Sequence, residues 1–285
     1  MASHLRKRRP LRASLPVLLA AILLAVFLWW DNTSLQVTEA DPVFSDLPAG
    51  FDGCRIAVLS DLHSASFGPN NQTLFETVAR QQPDYIFYLG DLEDQYRGRK
   101  PEYVAEVADG LTAIAPTYYV TGNHEWAIGR VPELKEGPRR SRGNGALQPV
   151  RHAGQGGDSV VLAGIDDPNG YADQKTPEEL AAEVYAACGD PLLDAAGPPE
   201  QPLFQPVQQA GCGPGLFRPR PGGLIRLPFT DGLFSHDWDL FPSNTAGAVR
   251  RKRLLPVRHP GLGNSGITFR LFNRPEVAMV TLHRA

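Results

Sequence analysis

Three short polar clusters constrain this chain more than anything else in it: Ser60-Asp-Leu-His-Ser64, Gly90-Asp-Leu-Glu-Asp94 and Thr121-Gly-Asn-His-Glu125. Each directly follows an apolar run, namely Arg55–Ser60, Asp84–Leu89 and Thr117–Val120, and these read as strands. Between them, Thr73–Gln82, stopped by Pro83, and Pro101–Leu111 carry helical periodicity. Strands alternating with helices predict an α/β architecture. In open α/β sheets ligands gather at the carboxyl ends of strands, so clusters some 30 residues apart in sequence are expected to converge in space. Ser159–Ala163 and Val277–Leu282 read as later strands.

Convergence of Asp61, His63, Asp91, Asn123 and His124 describes a metal site. In Asp61-x-His63 one residue separates a carboxylate from an imidazole, so both can reach one ion. Asp91 follows a glycine that lets backbone come close, and its two oxygens can bridge two ions; Asn123 offers a neutral amide oxygen. Mixed oxygen and nitrogen donors suit Mn, Fe or Zn better than Ca or Cu(I). The three cysteines, Cys54, Cys188 and Cys212, are too few and too irregularly spaced for a disulfide framework or a cysteine-rich zinc site. With 28 basic and 31 acidic residues the net charge of −3 argues against a dedicated nucleic-acid binder.

The order D-x-H, G-D, G-N-H-E, each after a hydrophobic strand, resembles the calcineurin-like metallophosphoesterase superfamily, and a basic, apolar amino terminus resembles its membrane-attached bacterial branch. Val161–Pro168 and the stretch from Gly222 to Pro275 are similar to that branch too. The resemblance implies a two-sheet β-sandwich flanked by helices and a site with two divalent metal ions. It implies that Asp61 and His63 hold the first metal, that Asp91 bridges both and that Asn123 holds the second. His124 is cast as the catalytic group that stabilises or protonates the departing oxygen, with Glu125 and Asp94 as acceptors orienting the imidazoles. An aspartyl-phosphate mechanism would need D-x-D at the first strand, where position 63 is His. His4, His152, His236, His259 and His283 have no such context and read as surface or loop residues.

Residues 1–12 carry five basic residues and no acid, and Ala13–Trp30 is an 18-residue run without charge. As a helix that run spans about 27 Å, close to a bilayer's hydrocarbon thickness. Its end in Phe27-Leu-Trp-Trp30 suits a membrane interface better than a signal-peptide cleavage site. The reading is therefore a basic cytoplasmic tail at 1–12, a single-pass cell-membrane anchor at 13–30, a linker at 31–53, and an extracytoplasmic catalytic domain at 54–285. The function expected is hydrolysis of a phosphoester or pyrophosphate bond in a phosphorylated small molecule or lipid.

A complete site of this family needs three further histidines, one after a strand and two in a G-H-x-H segment, and the sequence has neither. Where they belong, Pro191–Pro221 holds eight prolines and four glycines among 31 residues. A shift of one nucleotide accounts for this. Codons for Ala195-Ala-Gly-Pro-Pro199 can then spell Leu-Leu-Ala-His, and those for Phe217-Arg-Pro-Arg-Pro221 can spell Ser-Gly-His-Ala and most of another His codon. The codons of Arg142–Ala153 shift in the same sense to alternating β-type residues. The windows 138–155 and 191–221 are therefore read as frame-shifted and are expected to pack poorly. As written, the chain is expected to bind metal weakly or singly and to hydrolyse little; the alternative is a degenerate pseudoenzyme serving as an anchored binding or structural protein. Sequencing the gene tests the shift: one base downstream, the codons of 191–221 should spell histidine and those of 142–153 alternating β-type residues, and codons that cannot do so refute it.

Overall fold

Burial on both faces of a central sheet organises the molecule. The computed structural model describes residues 14–44, 47–97, 101–129, 131, 150–164, 179, 192–196, 215–217, 247–248, 254–258, 260–265 and 270–285. The chain runs through α1 (Ser14–Thr33), β1 (Gln36–Ala40), β2 (Val43–Phe44), β3 (Arg55–Leu59), α2 (Gln72–Arg80), β4 (Tyr85–Tyr88), α3 (Pro101–Thr112), β5 (Thr117–Tyr119) and α4 (Asn123–Ala127). Then follow β6 (Val150–Gln155), β7 (Asp158–Gly164), β8 (Leu192–Ala196), β9 (Gly215–Phe217), β10 (Gly247–Ala248), β11 (Leu254–Arg258), β12 (Glu276–Thr281) and β13 (His283–Arg284).

One sheet has the order β1-β12-β3-β4-β5 and a second the order β10-β11-β9-β8-β7-β6, with β13 and β2 as a separate pair. Strands β3, β4 and β5 are parallel, while β12 runs antiparallel to β3 with Ala278 opposite Val58. Because side chains alternate across a strand, Ile56, Val58, Tyr85, Phe87, Ala278 and Val280 face Ala153 and Val160 of the second sheet in one buried cluster. Ala57, Leu59, Ile86, Tyr88, Val277 and Met279 face the other way, onto the helices. There α2 offers Leu74 and Val78, and α3 offers Tyr103, Val107 and Leu111 at four-residue spacing. A strand apolar on both faces reads as a continuous hydrophobic run, as β3 and β4 do. The expected sandwich with flanking helices is the fold observed.

One expectation is corrected by the strand pairing. Residues 31–53 are not a linker: Gln36–Ala40 pairs in parallel with Glu276–Val280 along the sheet edge, and β2 pairs with β13. The strand was hidden because it is held by polar contacts, Gln36 Nε2 to Glu276 at 2.8 Å and Thr38 Oγ1 to the same carboxylate at 2.7 Å, rather than by an apolar run. Within the windows 138–155 and 191–221 the described residues form strands: β6 pairs with β7 over six positions, and β8 and β9 extend the same sheet. Those strands carry no proline, so each residue keeps its ladder N–H; the prolines lie outside them. Among the described residues one helix, Leu15–Thr33, is long and apolar enough to cross a membrane.

Cys54 sits in the inter-sheet core, where burial first and the Asp84 carboxylate second push its thiol up to about 12. Thiolate is the reactive form. Mass mapping after maleimide treatment at pH 8 should therefore find Cys54 unmodified in the folded protein and modified in urea.

Candidate metal centre

The parallel ladder of the first sheet continues past its strands and brings the first two polar clusters side by side. Leu89 N–H donates to Leu59 O at 2.8 Å, Asp61 N–H to Gly90 O at 3.0 Å, His63 N–H to Asp91 O at 2.9 Å and Ser64 N–H to Leu92 O at 3.0 Å. The turn this requires is sharp. Asp61, His63, Ser64 and Asp91 all adopt positive φ, between 46° and 58°. Each left-handed non-glycine residue costs on the order of 1 kcal/mol or more, and such outliers concentrate at functional sites. Ligand atoms of Asp61, His63 and Asp91 lie within 4.8 Å of one another, all three buried. His63 Nε2 is 3.7 Å from Asp61 Oδ1.

The third cluster closes on the second through two glycines. A Cβ on Gly90 would lie 2.5 Å from Gly122 N, and one on Gly122 would lie 2.1 Å from Asp91 Oδ1, so no larger residue fits either place. His124 N–H donates to Asp91 Oδ1 at 3.1 Å. Asn123, first residue of α4, is thus flanked on both sides by backbone packed on Asp91.

Glu125 locks this junction. Its carboxylate accepts N–H groups from Gly122 at 2.7 Å, Asp91 at 3.0 Å and Glu93 at 3.2 Å. Burial, and then the Asp91 carboxylate, push its carboxyl up to about 8. The expected role of orienting an imidazole is therefore corrected for Glu125, whose acceptor capacity is directed to backbone. Asp94 does lie beside an imidazole, its Oδ1 3.7 Å from His124 Nδ1. Asp94 N–H is held by Ser64 Oγ at 3.0 Å, which ties the second cluster to the first again.

The His124 ring is oriented from both nitrogens. Gln95 N–H donates to Nδ1 at 3.1 Å, so Nδ1 is the unprotonated nitrogen and the proton of the neutral ring is on Nε2, 3.3 Å from Ser265 Oγ. The ring meets His63 edge to face at 4.6 Å between centroids. His283 lies near Asp41 and Asp52, away from this cluster, and His152 falls in β6. His4, His236 and His259 lie outside the described residues.

The donor set fits a divalent ion: two carboxylates and an imidazole, buried and converging. The segment around Ser265 was not visible as part of the site in the sequence. Leu262 N–H donates to Ser60 O at 3.0 Å and Gly263 N–H to Asp61 O at 2.6 Å, and a Cβ on Gly263 would lie 1.9 Å from Leu62 O. The spacing Gly261-Leu-Gly-Asn-Ser265 was the available signal, two glycines flanking one apolar residue before polar side chains.

Residues 54–197 match the calcineurin-like phosphoesterase family, half of the chain. The chain belongs to that family. Two curated relatives, each named as a transmembrane protein with metallophosphoesterase domain, are 24% identical over 300 residues in Bos taurus and 26% identical over 271 residues in Danio rerio. The matches cover 98% and 88% of this chain but only 64% and 58% of the relatives' own length. Among solved structures the chain is similar to GAP50, the anchor in the inner membrane complex of Plasmodium, at 11% identity and a TM-score of 0.46, over 79% of this chain and 80% of that one.

Removing the Glu125 carboxylate strands three buried N–H donors at about 1 kcal/mol or more each. Glu125→Ala should lower unfolding stability by about 3 kcal/mol in a urea titration of the detergent-solubilised protein. Glu125→Gln, which keeps one acceptor oxygen, should lose less than half of that.

Proposed function

We propose that this chain is a membrane-anchored, metal-dependent phosphoesterase that hydrolyses a phosphoester or pyrophosphate bond. The observation that carries the reading is the buried convergence of Asp61, His63 and Asp91 at adjoining strand ends of a family phosphoesterase domain. Asp61 and His63 would hold one divalent ion, Asn123 a second, and Asp91 would bridge the two. Bound there, Mn, Fe or Zn ions supply Lewis acidity toward a phosphoryl group and acidify water. The backbone around Gly122 and His124 fixes one Asp91 oxygen, which leaves the carboxylate no freedom to swing away. His124 holds its proton at Nε2, because Gln95 N–H occupies Nδ1, and can donate a hydrogen bond that stabilises charge on a departing oxygen.

The apolar α1, with its basic flank kept in the cytoplasm, supports a single-pass anchor in the cell membrane and a domain on the extracytoplasmic side. An anchored enzyme meets lipids readily, which supports a lipid-linked phosphoester as substrate.

One observation favours a second reading, a degenerate anchored binding protein: the sequence lacks the G-H-x-H segment that would complete the second ion's ligands. Full-length protein with Mn²⁺ and bis-p-nitrophenyl phosphate separates the two. The phosphoesterase reading expects one tightly bound equivalent of metal by calorimetry, at Asp61, His63 and Asp91, a second bound only weakly, and slow turnover. Asp91→Asn should remove the tight equivalent and the turnover, and His124→Gln should lower kcat by about 10²-fold or more while metal still binds. Metal binding without any turnover at saturating Mn²⁺ would establish the degenerate reading.

A further inference from the structure

Residues 260–265 and 270–275 touch two things that are far apart in sequence: the metal centre and the end of α1. On the site side, this segment supplies the Leu262 and Gly263 donors to Ser60 and Asp61, and Ser265 beside His124 Nε2. On the helix side, Asn32 accepts Arg270 N–H through Oδ1, donates through Nδ2 to Arg270 O at 2.9 Å, and donates to Leu28 O at 2.7 Å. Arg274 lies 4.7 Å over the Trp30 ring, and its guanidinium donates to Ser34 O at 3.0 Å, Ser34 Oγ at 2.6 Å and Leu35 O at 2.8 Å. The buried Arg270 guanidinium joins the two sides, donating to the carbonyls of Pro260, Gly261 and Gly263 and to Asn264 Oδ1.

The strand register places the helix end at the same edge. Gln36 is opposite Glu276, and Ala278 is opposite Val58, so Gln36, Glu276 and Ser60 stand level across three strands. Two strand spacings make about 10 Å, and α1 ends three residues before Gln36. A helix that crosses a bilayer therefore delivers the domain with its metal-bearing edge toward the membrane surface and its opposite edge, at Asp52 and Gly53, toward water.

Phe272 marks the surface itself. It is 47% exposed, in a left-handed conformation that is costly for a bulky residue, and its ring lies 5.3 Å from that of Phe27. Phe27 is six residues inside the helix end, about 9 Å along the axis. An aromatic ring held against Phe27 of the apolar span, between two arginine-anchored ends and on a helix end that also exposes Trp29 and Trp30, is placed where headgroups meet acyl chains.

We propose that residues 260–265 and 270–275 form a membrane-contacting wall of the metal centre, and that the phosphoester cleaved there is borne by a lipid head group at the bilayer surface. The proposal rests on the anchored-phosphoesterase reading above. The headgroup layer is about 5–8 Å thick, so a phosphate in it lies within reach of a site this close to the helix end, whereas a soluble ester would need no such orientation.

Full-length protein in phosphatidylcholine bilayer discs tests this, with Cys188 and Cys212 changed to Ser. A nitroxide on Phe272→Cys should show the oxygen accessibility of the headgroup–acyl boundary, and one on Asp52→Cys that of bulk water. Phosphatidic acid in the discs, with Mn²⁺, should be hydrolysed at least tenfold faster than glycerol phosphate in solution, and Phe272→Asp should lower that ratio at least tenfold. Equal accessibility of the two labels, or equal rates on lipid and soluble ester, overturns the membrane-facing site while leaving the phosphoesterase reading in place. A membrane-level label at position 272 with no turnover of either ester, nor of bis-p-nitrophenyl phosphate, overturns the phosphoesterase reading and the lipid substrate with it.

Discussion

The approach of the Gly90-Asp91 turn to the Gly122-Asn123 turn is the contact on which the rest depends. Neither position tolerates a Cβ, because each would intrude on the other's backbone or on the Asp91 carboxylate. The closeness is costly, since Asp91 sits in left-handed backbone and a carboxylate is packed against main chain. Glu125 offsets that cost by accepting three N–H groups from both turns. The pair of turns therefore behaves as one rigid piece, and it is this piece that aims Asp91 at Asp61 and His63.

The architecture explains why such a piece can be rigid. Strands β3 and β4 are buried on both faces, by the second sheet on one side and by α2 and α3 on the other. Their carboxyl ends cannot shift without disturbing two packed layers at native density. Ladder-type hydrogen bonds then run on beyond the strands through Asp61, His63 and Ser64, so the left-handed residues are held by main-chain bonds as well as by packing. The same edge receives α1, and Glu276 links the incoming Gln36 and Thr38 to the strand that flanks β3. The apolar helix α1 and the candidate metal site thus share one structural support.

Much of this was legible along the chain. The apolar runs of β3 and β4 and the spacing of Leu74 with Val78, or of Tyr103, Val107 and Leu111, are local signals that burial writes into sequence directly. The metal trio was legible because three polar clusters stood at three strand ends. The role of Glu125 was not, because two of its three partners, the Asp91 and Glu93 N–H groups, are brought near only by folding. Residues 31–53 hid an edge strand because such a strand needs no apolar alternation when its side chains bond to a neighbouring carboxylate. The contacts of residues 260–265 and 270–275 escaped notice for a similar reason: Arg270 and Asn32 are 238 positions apart.

The sequence by itself determined the α/β alternation, the apolar helix at the amino terminus and the identity of Asp61, His63 and Asp91 as candidate ligands, since each rests on residues adjacent in the chain. Only the tertiary structure decided that Glu125 serves main chain rather than imidazole, that His124 keeps its proton at Nε2, and that the helix enters at the edge carrying the site. Those facts depend on donors and acceptors that meet across long loops, where nearness is set by packing and by strand register, and no local pattern of residue types records it.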